Sequence, residues 1–194
     1  MRRNDLWISI SDLLSSVVLV VLLVFLLTTP LPQETQKLEM MNKINAALQE
    51  YQERGQIKVH LETGTFEFTS VNFNSGSAQL PGTSLAAIKD FSEQLKIYMS
   101  ENPKMELLIE GHTALEPVSP VITKDDYFGN NIQLSTLRAA NFRSALLDNI
   151  GQEYAQRVSI AGYGETRLKN TEKPSSEENR RIEVRIILDG QYKN

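Results

Sequence analysis

One carboxylate in this chain stands where carboxylates are rare. The segment Leu6 to Leu27 reads LWISISDLLSSVVLVVLLVFLL, apolar apart from serines near its start and Asp12. A charge within hydrocarbon costs roughly 2.5–3.5 kcal/mol on insertion scales, so it usually faces a partner helix or a water path. At about 1.5 Å per helical residue, Asp12 lies roughly 9 Å beyond Leu6, too deep for a flanking charge. Asp5, just outside the run, reads as interfacial. Ser9, Asp12, Ser15 and Ser16 recur at three- and four-residue spacing and share one helix face. Two uses fit that face: a serine-rich packing surface for another helix, or a pathway for protons or sodium ions. They are compatible, because a path needs a partner helix to shield it.

A second group of residues is cationic. Ser135 is placed to cap a helix running to about Ile150, and Arg138 lies one turn in. The free N–H groups and positive dipole end of a helix N-terminus make an anion site. Arg138 would add a bidentate clamp for a carboxylate. Arg180 and Arg181 open the last strand, one facing each side of the sheet. Together they suggest a pocket for a small carboxylate-bearing ligand. The plainer reading is a surface arginine paired with a neighbouring glutamate.

Other chemistry finds little support. There is no cysteine and only two histidines, His60 and His112, so neither a thiolate nor a multi-histidine metal site is expected. No G-x-S-x-G accompanies His112, and P-loop and G-x-G-x-x-G motifs are lacking. Glu116, Asp125 and Asp126 lie in a polar loop where adjacent carboxylates are more often solvated than catalytic. The expectation is a protein that is not an enzyme and carries no cofactor beyond a transported ion. A net charge of -4, with no basic run beyond Arg2 and Arg3, argues against a nucleic-acid partner.

The elements that must position these groups follow from periodicity. Pro30 and Pro32 end the apolar run, and 34–54 is helical in composition, without Gly or Pro. Met41, Ile44, Leu48 and Tyr51 recur at 3, 4 and 3, which predicts either a short coiled coil with an identical copy or a helix packed on its own domain. Alternation gives strands at 57–61 and 65–73, and amphipathic spacing gives a helix over 84–100. A strand follows at 105–110, then a polar loop over 114–133 and the helix to 150. Strands at 157–161 and 180–188 close the chain. The order β-β-α-β-α-β describes an α+β sandwich with helices on one face of a sheet. The expected layout is a 1–5 cytoplasmic N-terminus, a 6–28 transmembrane helix, a 29–55 linker helix and a 56–190 folded domain.

Three features favour an uncleaved anchor over a signal peptide. The apolar run of about 22 residues exceeds the roughly 7–15 of a signal h-region. No small-x-small site follows it, and an h-region has no use for Asp12. Arg2 and Arg3 precede the span, so the positive-inside rule keeps the N-terminus cytoplasmic and puts the rest on the far side of the membrane, which in a Gram-negative cell is the periplasm.

The motifs GHT at 111–113, N-x-x-L-S-x-x-R-A at 131–139, GYGE at 162–165 and NRRIEV at 179–184, led by FNSGSAQL at 73–80, resemble the OmpA/MotB C-terminal domain. The resemblance covers roughly 56–188. It implies a domain that binds peptidoglycan through the diaminopimelate of the stem peptide. Arg138 would grip its carboxylate, Asn131, Leu134, Ser135 and Thr113 would build the pocket, and Arg181 would support it. The family usually reads GHTD, with an Asp that helps bind the diaminopimelate ammonium; here that position is Ala114, and Asp125 or Asp126 is the candidate replacement. W-I-S-x-x-D-L at 7–13 resembles the transmembrane motif of MotB-type stator subunits and of the ZorB subunit of Zorya anti-phage systems. That likeness implies that Asp12 carries the proton. It also implies a homodimer inside a ring of a polytopic MotA/ZorA-like partner in the bacterial inner membrane.

Overall fold

The computed structural model describes residues 3–28, 33–69, 73–74, 76–117, 120–122 and 127–188. The chain divides into two compact units, Met1–Gln36 and Lys37–Asn194.

The first unit is built on α1 (Arg3–Thr28), one unbroken helix. Its stretch Ile10–Leu27 is long and apolar enough to cross a membrane, and none of it is buried within the chain. Eighteen residues at about 1.5 Å each span roughly 27 Å, close to the hydrocarbon thickness of a bilayer.

The second unit is a five-stranded sheet carrying helices on one face. The strands are β1 (Ile57–His60), β2 (Thr65–Phe68), β3 (Glu106–Gly111), β6 (Val158–Gly162) and β7 (Ile182–Ile187), in the order β1-β2-β7-β3-β6. All pairings are antiparallel except β3 with β6. The helices are α4 (Gly82–Glu101) and α5 (Asn131–Ile150). For the five-stranded sheet and its two helices the succession is β-β-α-β-α-β-β, one strand more than the short form above.

Alternation sends Phe66, Phe68, Leu107, Ile109, Ile182, Val184 and Ile186 into the core beneath α4 and α5. Phe91 of α4 and Phe142 of α5 meet Phe66 and Phe68 with ring centroids 4.8–5.1 Å apart. The opposite face carries the charges. There Glu67 pairs with Lys169 at 2.5 Å, and Glu110 with Arg185 at 2.9 Å. Burial pushes the Glu67 carboxyl up, but hydrogen bonding and charge from Lys169, aided by His60, outweigh it and hold it below the usual value. α4 has an unusual C-terminal cap. The Arg157 guanidinium donates to the carbonyls of Met99 (2.9 Å), Asn102 (3.0 Å) and Pro103 (3.0 Å), collecting oxygens a helix end leaves unpaired.

One open choice closes here, and two expectations change. The stripe Met41, Ile44 and Leu48 of α2 (Gln33–Ala47) and the turn after it is fully buried in the domain's own core. Tyr51 of α3 (Gln49–Glu53) donates its phenol to Asp90 of α4, which pushes the phenol up to about 12. The seam is therefore occupied within its own chain, which is one of the two packings the sequence leaves open, and the compact unit takes in residues from Lys37 on. Of the second strand expected over 65–73, the described part is Thr65–Phe68, whose last residue pairs with Ile182 at the start of β7; 70–72 lie outside the described residues. The loop expected over 114–133 holds a small hairpin, β4 (Val121–Ile122) with β5 (Tyr127–Phe128), and gives way to α5 at Asn131.

Candidate functional site

Parallel strands β3 and β6 end side by side under the start of α5. The helix approaches so closely that only glycine fits beneath it. A Cβ on Gly111 would lie 2.1 Å from the Ser135 carbonyl oxygen. One on Gly162 would lie 2.6 Å from the Thr136 backbone nitrogen. Gly164, at φ +52, turns the chain out of β6 and joins the pieces. Its N–H donates to Ser135 Oγ at 2.9 Å, and its carbonyl accepts the N–H of Thr113 at 2.9 Å.

This geometry revises the role of Ser135. α5 starts four residues earlier than Ser135, and its cap is Asn130, whose side chain accepts from the Gln133 N–H at 2.9 Å. Ser135 sits inside the helix, donates to the Ile132 carbonyl at 2.9 Å, and ties α5 to Gly164. Arg138 is accordingly two turns in, about 10 Å from the helix start, and not beside the free N–H groups. It is also not a surface arginine. Only 1% exposed, it reaches the loop at 73–78, with Nε 2.9 Å from the Ser77 carbonyl and Nη2 3.3 Å from that of Asn74. Its guanidinium carbon lies 4.6 Å from the Phe73 ring centroid. Asn141 adds a bond to the Ala78 carbonyl at 2.8 Å.

The other expected residues separate by face. Asn131 donates to the Glu116 carbonyl at 3.0 Å, and Leu134 packs with Ala78 and Phe128. Thr113, Asn131, Ser135 and Leu134 thus gather at the start of α5, with Arg138 one turn deeper. Arg181 lies on the opposite face of the sheet. It bonds Glu183 at 2.6 Å and reaches the Arg167 carbonyl at 3.3 Å, so it braces the loop after Gly164. His112 also faces that side, stacked on Tyr163 at 5.5 Å. Burial first, and the nearby charge of Arg181 second, push its imidazole down to about 4, so it is neutral at physiological pH. Asp125 and Asp126 lie outside the described residues.

Sequence reasoning missed three contributors. The carbonyls of Asn74 and Ser77 cannot be read from side-chain type. Gly164 was seen only as part of GYGE. Asn179, fully buried, accepts from the N–H groups of Lys169 and Asn170 and donates to the Pro174 carbonyl, fixing the loop before β7. Its signal was its place at the head of NRRIEV.

The sequence model of the OmpA family matches residues 72–181, more than half of the chain. The chain belongs to the OmpA family. Motility protein B of Bacillus subtilis (strain 168) is 33% identical over 123 residues, covering 62% of this chain and 43% of that protein. The chain therefore spans under half the length of this relative. Two solved structures share the fold of the OmpA domain. A MotB-like protein from Desulfovibrio vulgaris aligns with a TM-score of 0.60 at 19% identity, over 80% of this chain and 96% of that one. The cell wall anchor of the type VI secretion system of Pseudomonas aeruginosa aligns with a TM-score of 0.56 at 18% identity, over 75% and 96%.

In the first unit, the Asp12 side chain is exposed along α1. Ser15 donates to the Ser11 carbonyl and Ser16 to the Leu13 carbonyl, both at 2.8 Å. These hydroxyl protons are spent within the helix. The Ser9 side chain lies outside those described. Among the described residues no group of three or more His, Asp or Glu is placed to hold a metal ion.

Proposed function

We propose that the chain is the ion-carrying, wall-anchored subunit of an inner-membrane rotary motor. α1 crosses the membrane with the N-terminus cytoplasmic and the OmpA domain periplasmic. Asp12 takes up and releases protons, with sodium ions as the alternative cargo, along the face that carries Ser9, Ser15 and Ser16. Two copies of α1 stand inside a ring of a polytopic MotA/ZorA-like partner. The OmpA domain holds the pair to peptidoglycan, so torque appears in the ring. The output is flagellar rotation or a Zorya-like anti-phage response.

The observation that carries this reading is Asp12 within a helix apolar enough to span a bilayer, joined to an OmpA domain akin to motility protein B. The energies are commensurate. A charge falling through 100 mV releases about 2.3 kcal/mol, close to the roughly 2.5–3.5 kcal/mol that a carboxylate costs in the bilayer. A passive tether would use the same domain but has no use for that cost.

The test is native-membrane co-purification of the full chain, followed by ion flux through the recovered complex. Asp12→Asn should leave expression and ring recovery intact and lower flux at least tenfold. Normal flux in Asp12→Asn refutes the motor reading, and recovery without a polytopic partner favours the tether. The identity of the ring assigns the output.

A further inference from the structure

Glu183 of β7 stands directly opposite both Glu67 of β2 and Glu110 of β3. Three carboxylates therefore lie side by side across neighbouring strands, on the face of the sheet away from α4 and α5. Glu67 and Glu110 are each only 2% exposed. Like charges directly opposite one another weaken a sheet, and a buried carboxylate is costly without a counter-charge.

Most of the counter-charges come from one loop. Lys169 Nζ lies 2.5 and 2.6 Å from the two Glu67 oxygens, and Arg167 lies 3.4 Å from Glu110. Arg181, at the end of the loop, holds Glu183 at 2.6 Å. The strands add Arg185 on Glu110 at 2.9 Å, His60 on Glu67 at 3.2 Å, and Lys58 opposite Glu67 on β1. Between Glu165 and Arg180 the loop has one large aliphatic side chain, Leu168, and among the described residues none of its side chains joins the apolar core. Charge and hydrogen bonds hold it instead. The Arg167 guanidinium lies 3.5 Å from the Tyr163 ring centroid, Arg181 donates to the Arg167 carbonyl at 3.3 Å, and Asn179 Oδ1 accepts the Lys169 N–H at 2.8 Å. A continuous line of contacts thus runs from the Glu67–Lys169 pair back to Tyr163 and Gly164, where the loop leaves β6.

We propose that Glu67 and Lys169 are positioning residues for wall binding. Their ion pair pins the loop across the charged face and so fixes Gly164, which ties Thr113 to Ser135 on the other side of the sheet. This rests on the wall-binding reading of the OmpA domain. The row of glutamates then has a use that repays its cost: it is the fixed half of a latch whose other half is the loop.

The test uses the full chain in detergent micelles, with amide hydrogen exchange read by mass spectrometry and retention on isolated sacculi read by sedimentation. Lys169→Met breaks the pair. Glu67→Gln combined with Lys169→Met breaks it without leaving a buried charge unpaired, so its thermal midpoint should stay within a few degrees of wild type. In both, peptides covering 165–170 should exchange at least tenfold faster while those covering β3 and β7 do not change, and sacculus retention should fall at least threefold. Lys169→Arg, which keeps the charge, should behave as wild type in both readouts. Unchanged exchange in the double variant, unchanged retention despite faster exchange, faster exchange throughout the sheet, or a Lys169→Arg that behaves as Lys169→Met each overturns the positioning role while the wall-binding reading stands. A wild type that sacculi do not retain overturns that reading and the positioning role with it, and the exchange data still decide whether the pair latches the loop.

Discussion

Replacing Leu48 by alanine asks whether the helix after the membrane span belongs to the domain or to a dimer. Leu48 is fully buried, packed with Met41 and Ile44 in the core that also holds Phe66 and Phe91. Truncating such a leucine removes its transfer free energy and leaves a cavity, together about 2–5 kcal/mol. For domains of about 150 residues each kcal/mol moves the midpoint by roughly 2–4 °C, so a loss of about 3 kcal/mol lowers it by roughly 6–12 °C. Calorimetry of the full chain in detergent, at two concentrations tenfold apart, reads this directly. The domain transition should fall by that amount equally at both concentrations. Leu38→Ala, at a site 49% exposed, should move it by no more than about 0.5 kcal/mol. A coiled coil would behave otherwise: its melting would depend on concentration, and Leu48→Ala would leave the domain transition in place. A shift under about 2 °C in the domain transition refutes the packing described above.

Gly162→Ala should cost about 3 kcal/mol, the upper end for overpacking, because the new methyl meets the Thr136 hydroxyl and, behind it, the α5 backbone at the Thr136 nitrogen and the Ile132 carbonyl, which cannot swing aside. Gly82→Ala, with open space around it, should be near neutral, and the two urea midpoints check the contrast. His112 should confer an acid-side loss of stability. Its folded-state pKa is depressed to about 4 against an unfolded value near 6.5. Between those values the unfolded chain binds a proton that the folded one does not. Stability is therefore full above pH 6.5 and declines as pH falls towards 4, by about 3 kcal/mol in all. Glu67, with its folded pKa held below the usual carboxylate value, adds its own loss at still lower pH. His112→Gln should flatten the upper part of the profile and leave the lower part, measured by unfolding midpoints from pH 4 to 8.

The strands and helices of the domain were legible because each buries one face. Period-2 alternation in Ile182, Val184 and Ile186, and the apolar stripe of α4, describe a sheet covered on one side. The stripe of Met41, Ile44 and Leu48 was equally plain as a pattern. Its partner was not, since a short apolar stripe fits a second copy of itself as well as the Phe66–Phe91 core. Ser135 was misread for a similar reason. A serine before a hydrophobic run resembles a cap, but Asn130 starts the helix earlier and leaves Ser135 to bond Gly164.

Asp12 and Arg138 draw the line between what sequence exposes and what it hides. Both are charges in surroundings that disfavour charge. For Asp12 those surroundings are the neighbours along the chain, so the run from Leu6 to Leu27 is enough to show that the residue is out of place. For Arg138 they are built by Asn74 and Ser77, over sixty positions away, whose carbonyls meet the guanidinium only once α5 lies on the sheet. Its sequence neighbours, Leu134, Ser135 and Ala139, look the same whether the arginine is exposed or enclosed. A cost imposed locally can be read before folding; a cost imposed by the fold becomes visible only with it.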